Sequence, residues 1–141
     1  MKISVVDSSV WIDFFNKKTT PQIEIVKSSL YTSTKHSPFI ILPIIYQEIL
    51  QGIDNDKQYY LVKEVLLGLE MIEIDQFLYA EKAADLYRNL RRKGVTIRKA
   101  NDCFIAAVCI DYKFPDYSCH FISIQFNHWI RNLYFTHVFY L

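Results

Sequence analysis

The stretch ISVVDSSVWIDFF, residues 3–15, sets a carboxylate directly behind a short apolar run and two hydroxyls directly behind the carboxylate. Lys2–Val6 sets the β-branched Ile3, Val5 and Val6 close together, the pattern of a short strand covered on both faces in a parallel sheet. A carboxylate carried into such surroundings is costly unless a partner or a metal compensates it. Asp7 therefore marks either a strand end that opens to water or a site. Val10–Phe15 starts the next element.

Further along the chain, apolar spacing predicts helices separated by short strands. Pro21 at a first turn, followed by Ile23, Ile25, Val26 and Leu30, predicts a helix to about Tyr31. Phe39–Leu42 reads as a second strand. Pro43 then opens a helix in PIIYQEILQGI, where Ile45, Ile49 and Gly52 share a face with Glu48 nearby. Lys57–Leu67 predicts another helix with Tyr60, Leu61 and Val65 toward one side, and Met71–Ile74 a third short strand. From Phe77 the spacing of Ala80, Ala83, Ala84, Tyr87 and Leu90 is helical, and Gly94 stands just past its end as a C-cap. In ANDCFIAAVCIDY, Asn101 is the expected cap, and Ile105, Val108, Cys109 and Tyr112 form the expected buried stripe. Strands alternating with helices imply an α/β domain with a mostly parallel central sheet flanked by helices.

The chain of 141 residues has the length of one domain, 1–141, with a sizeable core. Half of it is apolar, with ten Tyr and ten Phe, a composition that excludes disorder. Sixteen Lys and Arg against fifteen Asp and Glu exclude a protein that holds nucleic acid mainly through bulk positive charge. Cys103, Cys109 and Cys119 include no CxxC pair, so neither a disulfide framework nor a zinc ribbon is expected, and a reducing cytoplasm is. The apolar runs are too short for a signal-peptide core or a membrane span.

Three acidic residues occupy unusual places: Asp7 at the carboxyl end of strand one, Glu48 inside an apolar helix, and Asp102 in the first turn of the Asn101 helix. Each has an ordinary reading: Asp7 as a turn-starting side chain, Glu48 as a partly exposed helix residue, and Asp102 as a partner of the helix dipole. An open parallel sheet nevertheless gathers strand ends and helix starts along one rim, where ligands bind. Three carboxylates gathered there repel one another unless a hard cation such as Mg²⁺ or Mn²⁺ binds their oxygens.

The segments VVDSSVWIDFF, LPIIYQEILQGI and LYRNLRRKGVTIRKANDCFIAAVCI, with the spacing between them, resemble the PIN-domain ribonuclease toxins of the VapC type, found in bacterial toxin–antitoxin pairs. The resemblance covers about residues 1 to 115 and leaves 116–141 as an atypical C-terminal segment. It implies a PIN-like three-layer α/β/α domain and a metal-dependent endoribonuclease. Asp7, Glu48 and Asp102 would bind Mg²⁺ or Mn²⁺, and Ser9 would take the place of the family's small hydroxyl residue. The implied partners are an RNA substrate and a cognate antitoxin, in a homodimer or a toxin–antitoxin hetero-oligomer, without a membrane.

Where the family carries a fourth acid, this chain sets Ser123 and Gln125, neither of which replaces a carboxylate electrostatically. The alternative function is accordingly a catalytically impaired PIN-fold module that binds antitoxin or RNA without turnover. Asp116, just after Pro115, reads as a turn residue. A phosphatase of the aspartyl-nucleophile kind would need a second acid where Ser9 stands. Arg88, Arg91, Arg92, Lys93, Arg98 and Lys99 form a basic run suited either to RNA phosphates or to a solvated helix face. His36, His120, His128 and His137 lack the spacing of a zinc site. Trp11, Phe14 and Phe15 read as core rings; the alternative is an exposed aromatic beside the site that would suit antitoxin capture, for which Trp11 is the first candidate.

Overall fold

The computed structural model describes residues 4–32 and 37–111, together with the backbone of a strand at 120–122. The chain forms β1 (Ser4–Val6), α1 (Ser8–Phe15), α2 (Pro21–Thr32), β2 (Phe39–Ile41), α3 (Pro43–Gln51), α4 (Asp56–Leu67), β3 (Glu70–Met71), α5 (Gln76–Arg92), α6 (Ala100–Asp111) and β4 (His120–Ile122). It divides into two compact units. The first runs to Ile72 and includes β4; the second begins at Glu73 and holds α5 and α6.

Among the described residues the first unit is built on a four-stranded sheet of order β3-β2-β1-β4. Every pairing is parallel, with Ser4 opposite both Phe39 and His120, and Ile40 opposite Glu70. The α/β class and parallel sheet expected from the sequence are therefore present. The first three strands add in one direction away from β1, and the chain then returns to place β4 on the other side of β1. The strand order thus reverses at β1, the position where open α/β sheets form a crevice beyond the strand ends.

The core of this unit follows from the β-branched strands. Val5, Val6, Phe39, Ile40 and Ile41 are all buried, as are Leu42, Ile45 and Ile49 behind them. Trp11 lies in this core at 1% exposure, while Phe14 and Phe15 are half-buried. The core reading of these rings thus fits Trp11 best, which is the most enclosed of the three. It sits one helical turn past Asp7, crosses Phe39 edge-on at 5.7 Å and stacks on Phe15 at 6.0 Å. Edge-on and offset contacts suit the ring quadrupoles, which explains how the largest side chain of the segment fits inside. Its buried indole N–H meets no acceptor among the described residues.

Two helices carry their apolar residues differently from the expected pattern. On α4 the buried positions are Val62 and Leu66, whereas Tyr60, Leu61 and Val65 are more than half exposed. On α5 the buried line is Tyr79, Ala83 and Leu90, with Leu86 and Tyr87 half-buried and Ala80 and Ala84 exposed. On α4 a one-position rotation separates the buried face from the apolar face suggested by spacing, whereas on α5 the expected Ala83 and Leu90 are buried and Tyr79 takes the place of Ala80. A helix with more apolar residues than its buried stripe can hold leaves that choice to tertiary packing. The third strand also shifts, to an exposed pair, Glu70 and Met71, at the sheet edge.

In the second unit α5 packs on α6, and Lys82 pairs with Asp111 across them. Asp75 caps α5 by accepting from the N–H groups of Phe77 and Leu78 at 3.1 and 3.0 Å. At the other end Gly94 adopts φ +78°. The Val95 N–H reaches the Leu90 carbonyl and the Gly94 N–H that of Arg91, each at 3.0 Å, so the helix closes in a Schellman motif. Helix α6 is buried over Cys103, Ile105, Ala106, Ala107, Val108 and Cys109, more sides than one stripe covers.

Lys17, at φ 58°, closes α1 by the same geometry, with the Lys18 N–H bonded to the Asp13 carbonyl at 3.0 Å. The left-handed conformation costs a residue with a Cβ roughly 1–2 kcal/mol. Urea unfolding should therefore show Gly94→Ala destabilised by about 1 kcal/mol through backbone conformation, because nothing lies within 4 Å of the added Cβ. Lys17→Gly should be stabilised by a smaller amount, since the added freedom of glycine in the unfolded chain offsets part of the gain.

Candidate functional site

The first helix starts with no loop before it. Asp7, at φ −63° and ψ 151°, is the single residue between β1 and α1, and its carbonyl accepts from the N–H groups of Val10 and Trp11. Its side chain makes no capping hydrogen bond. This excludes the ordinary reading in which the Asp7 carboxylate starts the turn. The carboxylate instead accepts from Ser9 Oγ, at 2.5 Å to Oδ2, and the residue is only 9% exposed.

Glu48 comes to the same helix turn from α3. That helix also follows its strand after one residue, Leu42, with Pro43 at its first position. Pro43 has the fixed φ a first helical turn requires and no N–H to leave unpaired. Because β1 and β2 are paired in parallel, α1 and α3 both start at the carboxyl edge of the sheet. Glu48, half-buried, there accepts from Ser8 Oγ at 2.6 Å. Consecutive hydroxyls on the first turn of α1 thus each hold a carboxylate: Ser9 that of Asp7, and Ser8 that of Glu48. Distances of this length are those of O–H groups donating to charged oxygens.

Of the sequence-predicted site residues, Asp7, Ser9 and Glu48 are gathered within the first unit. Asp102 belongs to the second unit, as the third residue of α6. It is half-buried, and its N–H bonds to the Lys99 carbonyl at 3.1 Å. Helix α6 begins at Ala100, so Asn101 lies inside its first turn and is not the cap expected from the sequence. Among the described residues no three His, Cys, Asp or Glu side chains form a group that could hold a metal ion. The donors that do meet at α1 are carboxylate and hydroxyl oxygens, a set chemically suited to Mg²⁺ or Mn²⁺ and unsuited to softer ions.

Ser8 was not singled out by the sequence, although the paired hydroxyls behind Asp7 were the available signal. Asp116, Ser123 and Gln125 lie outside the described residues, as do His36, His128, His137 and Tyr112. All six cations of the run from Arg88 to Lys99 are exposed. Among the described residues no helix is long and apolar enough to cross a membrane.

Comparison with known proteins identifies the family of the chain. The family model described as PIN domain matches residues 4–117, which run through both compact units. A VapC ribonuclease, Mb1587, of Mycobacterium bovis is 31% identical over 106 residues, covering 75% of this chain and 78% of the relative. Ribonuclease VapC11 of Mycobacterium tuberculosis matches with the same identity and coverage.

Asp102 also leaves an electrostatic mark on its neighbour. The Cys103 thiol is pushed up to about 11, first by burial and then by the Asp102 charge. The folded chain therefore keeps the Cys103 proton at a pH where the unfolded chain, near 9.0, has released it. Stability from this group is complete below the unfolded value and is lost as pH rises through the folded one. Chemical unfolding across that alkaline window should show a decline in stability that Cys103→Ala makes shallower. The thiol should also react with iodoacetamide at pH 8 more slowly than free cysteine, because thiolate is the reacting form.

Proposed function

The chain belongs to the PIN-domain family of the VapC type, and from that membership and the carboxylates held at α1 we propose a metal-dependent endoribonuclease, the toxin of a type II toxin–antitoxin pair, that cleaves RNA phosphodiesters. The observation that carries this reading is the pairing of Asp7 and Glu48 with adjacent hydroxyls where the strand order of the sheet reverses. A buried carboxylate at that place is better explained by a bound cation than by packing. In this reading Asp7, Glu48 and Asp102 hold Mg²⁺ or Mn²⁺, Ser9 orients Asp7, and the two units form one PIN domain.

A divalent cation held there supplies positive charge to the phosphodiester oxygens and lowers the pKa of a water. The chain's own residues supply geometry. The sheet fixes where the first turns of α1 and α3 begin, and Ser9 limits the Asp7 carboxylate to one orientation. Buried Trp11 and Phe39 keep α1 seated on β2. The exposed cations between Arg88 and Lys99 suit the backbone of an RNA substrate, although a net charge of only +1 leaves no general attraction to RNA. The partners in this reading are the RNA and a cognate antitoxin, in a homodimer or a toxin–antitoxin hetero-oligomer in the cytoplasm.

The purified chain should cut RNA with Mn²⁺ or Mg²⁺ and stop on addition of EDTA. Asp7→Asn, Glu48→Gln and Asp102→Asn should each lower cleavage by more than the ~10–100-fold typical of changes around a metal's ligands, with the circular dichroism of the folded chain retained. Wild-type rates in any one of these folded variants would remove that residue from the site. A folded wild-type chain that binds RNA or antitoxin but cuts nothing with either ion would favour the binding module, in keeping with the neutral Ser123 and Gln125.

A further inference from the structure

We propose that Ser8 is a positioning residue that sets the Glu48 carboxylate for metal binding. The inference rests on the reading of Glu48 as a ligand. Its physical basis is the 2.6 Å bond from Ser8 Oγ to Glu48 Oε2, which joins residues 40 positions apart. A glutamate on a half-buried helix face has three side-chain torsions to restrict before both it and the cation can meet. A donor already fixed in place removes part of that loss in advance.

Ser8 is well placed for this. It is only 3% exposed, and its backbone is set as the first residue of α1. The residue before it is Asp7, so the turn that carries one carboxylate also orients the other. Ser9 serves Asp7, and Ser8 serves Glu48. The hydroxyl's partner is a carboxylate from another helix, so its contribution does not reduce to starting α1. Partners that orient metal ligands in this way typically govern affinity as well as rate.

The test is a titration of the full chain with Mn²⁺ alone, followed by calorimetry in the absence of RNA. Ser8→Ala should weaken Mn²⁺ binding about 10–100-fold while the circular dichroism and thermal unfolding of the metal-free chain still report a folded protein. If the alanine variant does not fold, Ser8→Cys, similar in size but a weak donor, replaces it with the same expectation. In a Glu48→Gln background the Ser8 substitution should add no further loss, because the partner through which it acts is already changed. Wild-type Mn²⁺ affinity in the folded Ser8 variant, with affinity lost in Glu48→Gln, would overturn the role of Ser8 and leave the site standing. An equal further loss in the Glu48→Gln background would also overturn it, because Ser8 would then act elsewhere. Wild-type affinity in Glu48→Gln itself would remove Glu48 from the site and this inference with it.

Discussion

The pairing of β1 with a parallel neighbour on each side constrains the rest of the first unit. A strand of three residues held from both sides has little freedom in register, because a one-residue slip would turn its apolar side chains the wrong way. Its end is therefore fixed, and so is the residue that follows. The backbone of Asp7 starts α1 while its side chain is left for Ser9. The position of the carboxylate thus originates in sheet pairing, and its orientation in the Ser9 hydroxyl two residues further on.

Burial and charge meet at this same point. The interior side of α1 is occupied by Val10 and Trp11, and the strands behind it by Val5, Val6 and Phe39. Apolar walls of this kind strengthen electrostatic interactions near them and penalise any charge that lacks a partner. Two carboxylates remain tolerable there because each receives a hydroxyl proton donor from α1.

Much of this was legible in the sequence, for reasons that differ by element. Val5 and Val6 with Phe39–Ile41 declared buried strands because β-branched runs have few other uses. Pro21 and Pro43 marked helix starts through their fixed φ, and Gly94 marked a helix end through its left-handed backbone. Asp7 and Glu48 stood out as charges among apolar neighbours, and the fold does bring them to one turn. The face of α4 was not legible, and that of α5 only through Ala83 and Leu90, since Tyr60, Leu61 and Val65, or Ala80 and Ala84, are apolar enough to be buried and only neighbouring elements decide whether they are. Asn101 misled as a cap because a good capping residue one position inside the helix has the same local sequence signal. Ser8 was overlooked because its partner lies 40 residues away, beyond the reach of any spacing rule.

The single-residue junctions at Asp7 and Leu42 have a consequence for how such a chain can vary over generations. An α-helix turns about 100° and rises 1.5 Å for each residue, so one codon gained or lost between β2 and Glu48 would swing that carboxylate to another side of α3. The longer connections elsewhere can absorb a length change as slack. Lineages descended from this sequence should therefore accumulate indels in the segments between other elements, while the distance in residues from each of these strands to its acid stays constant.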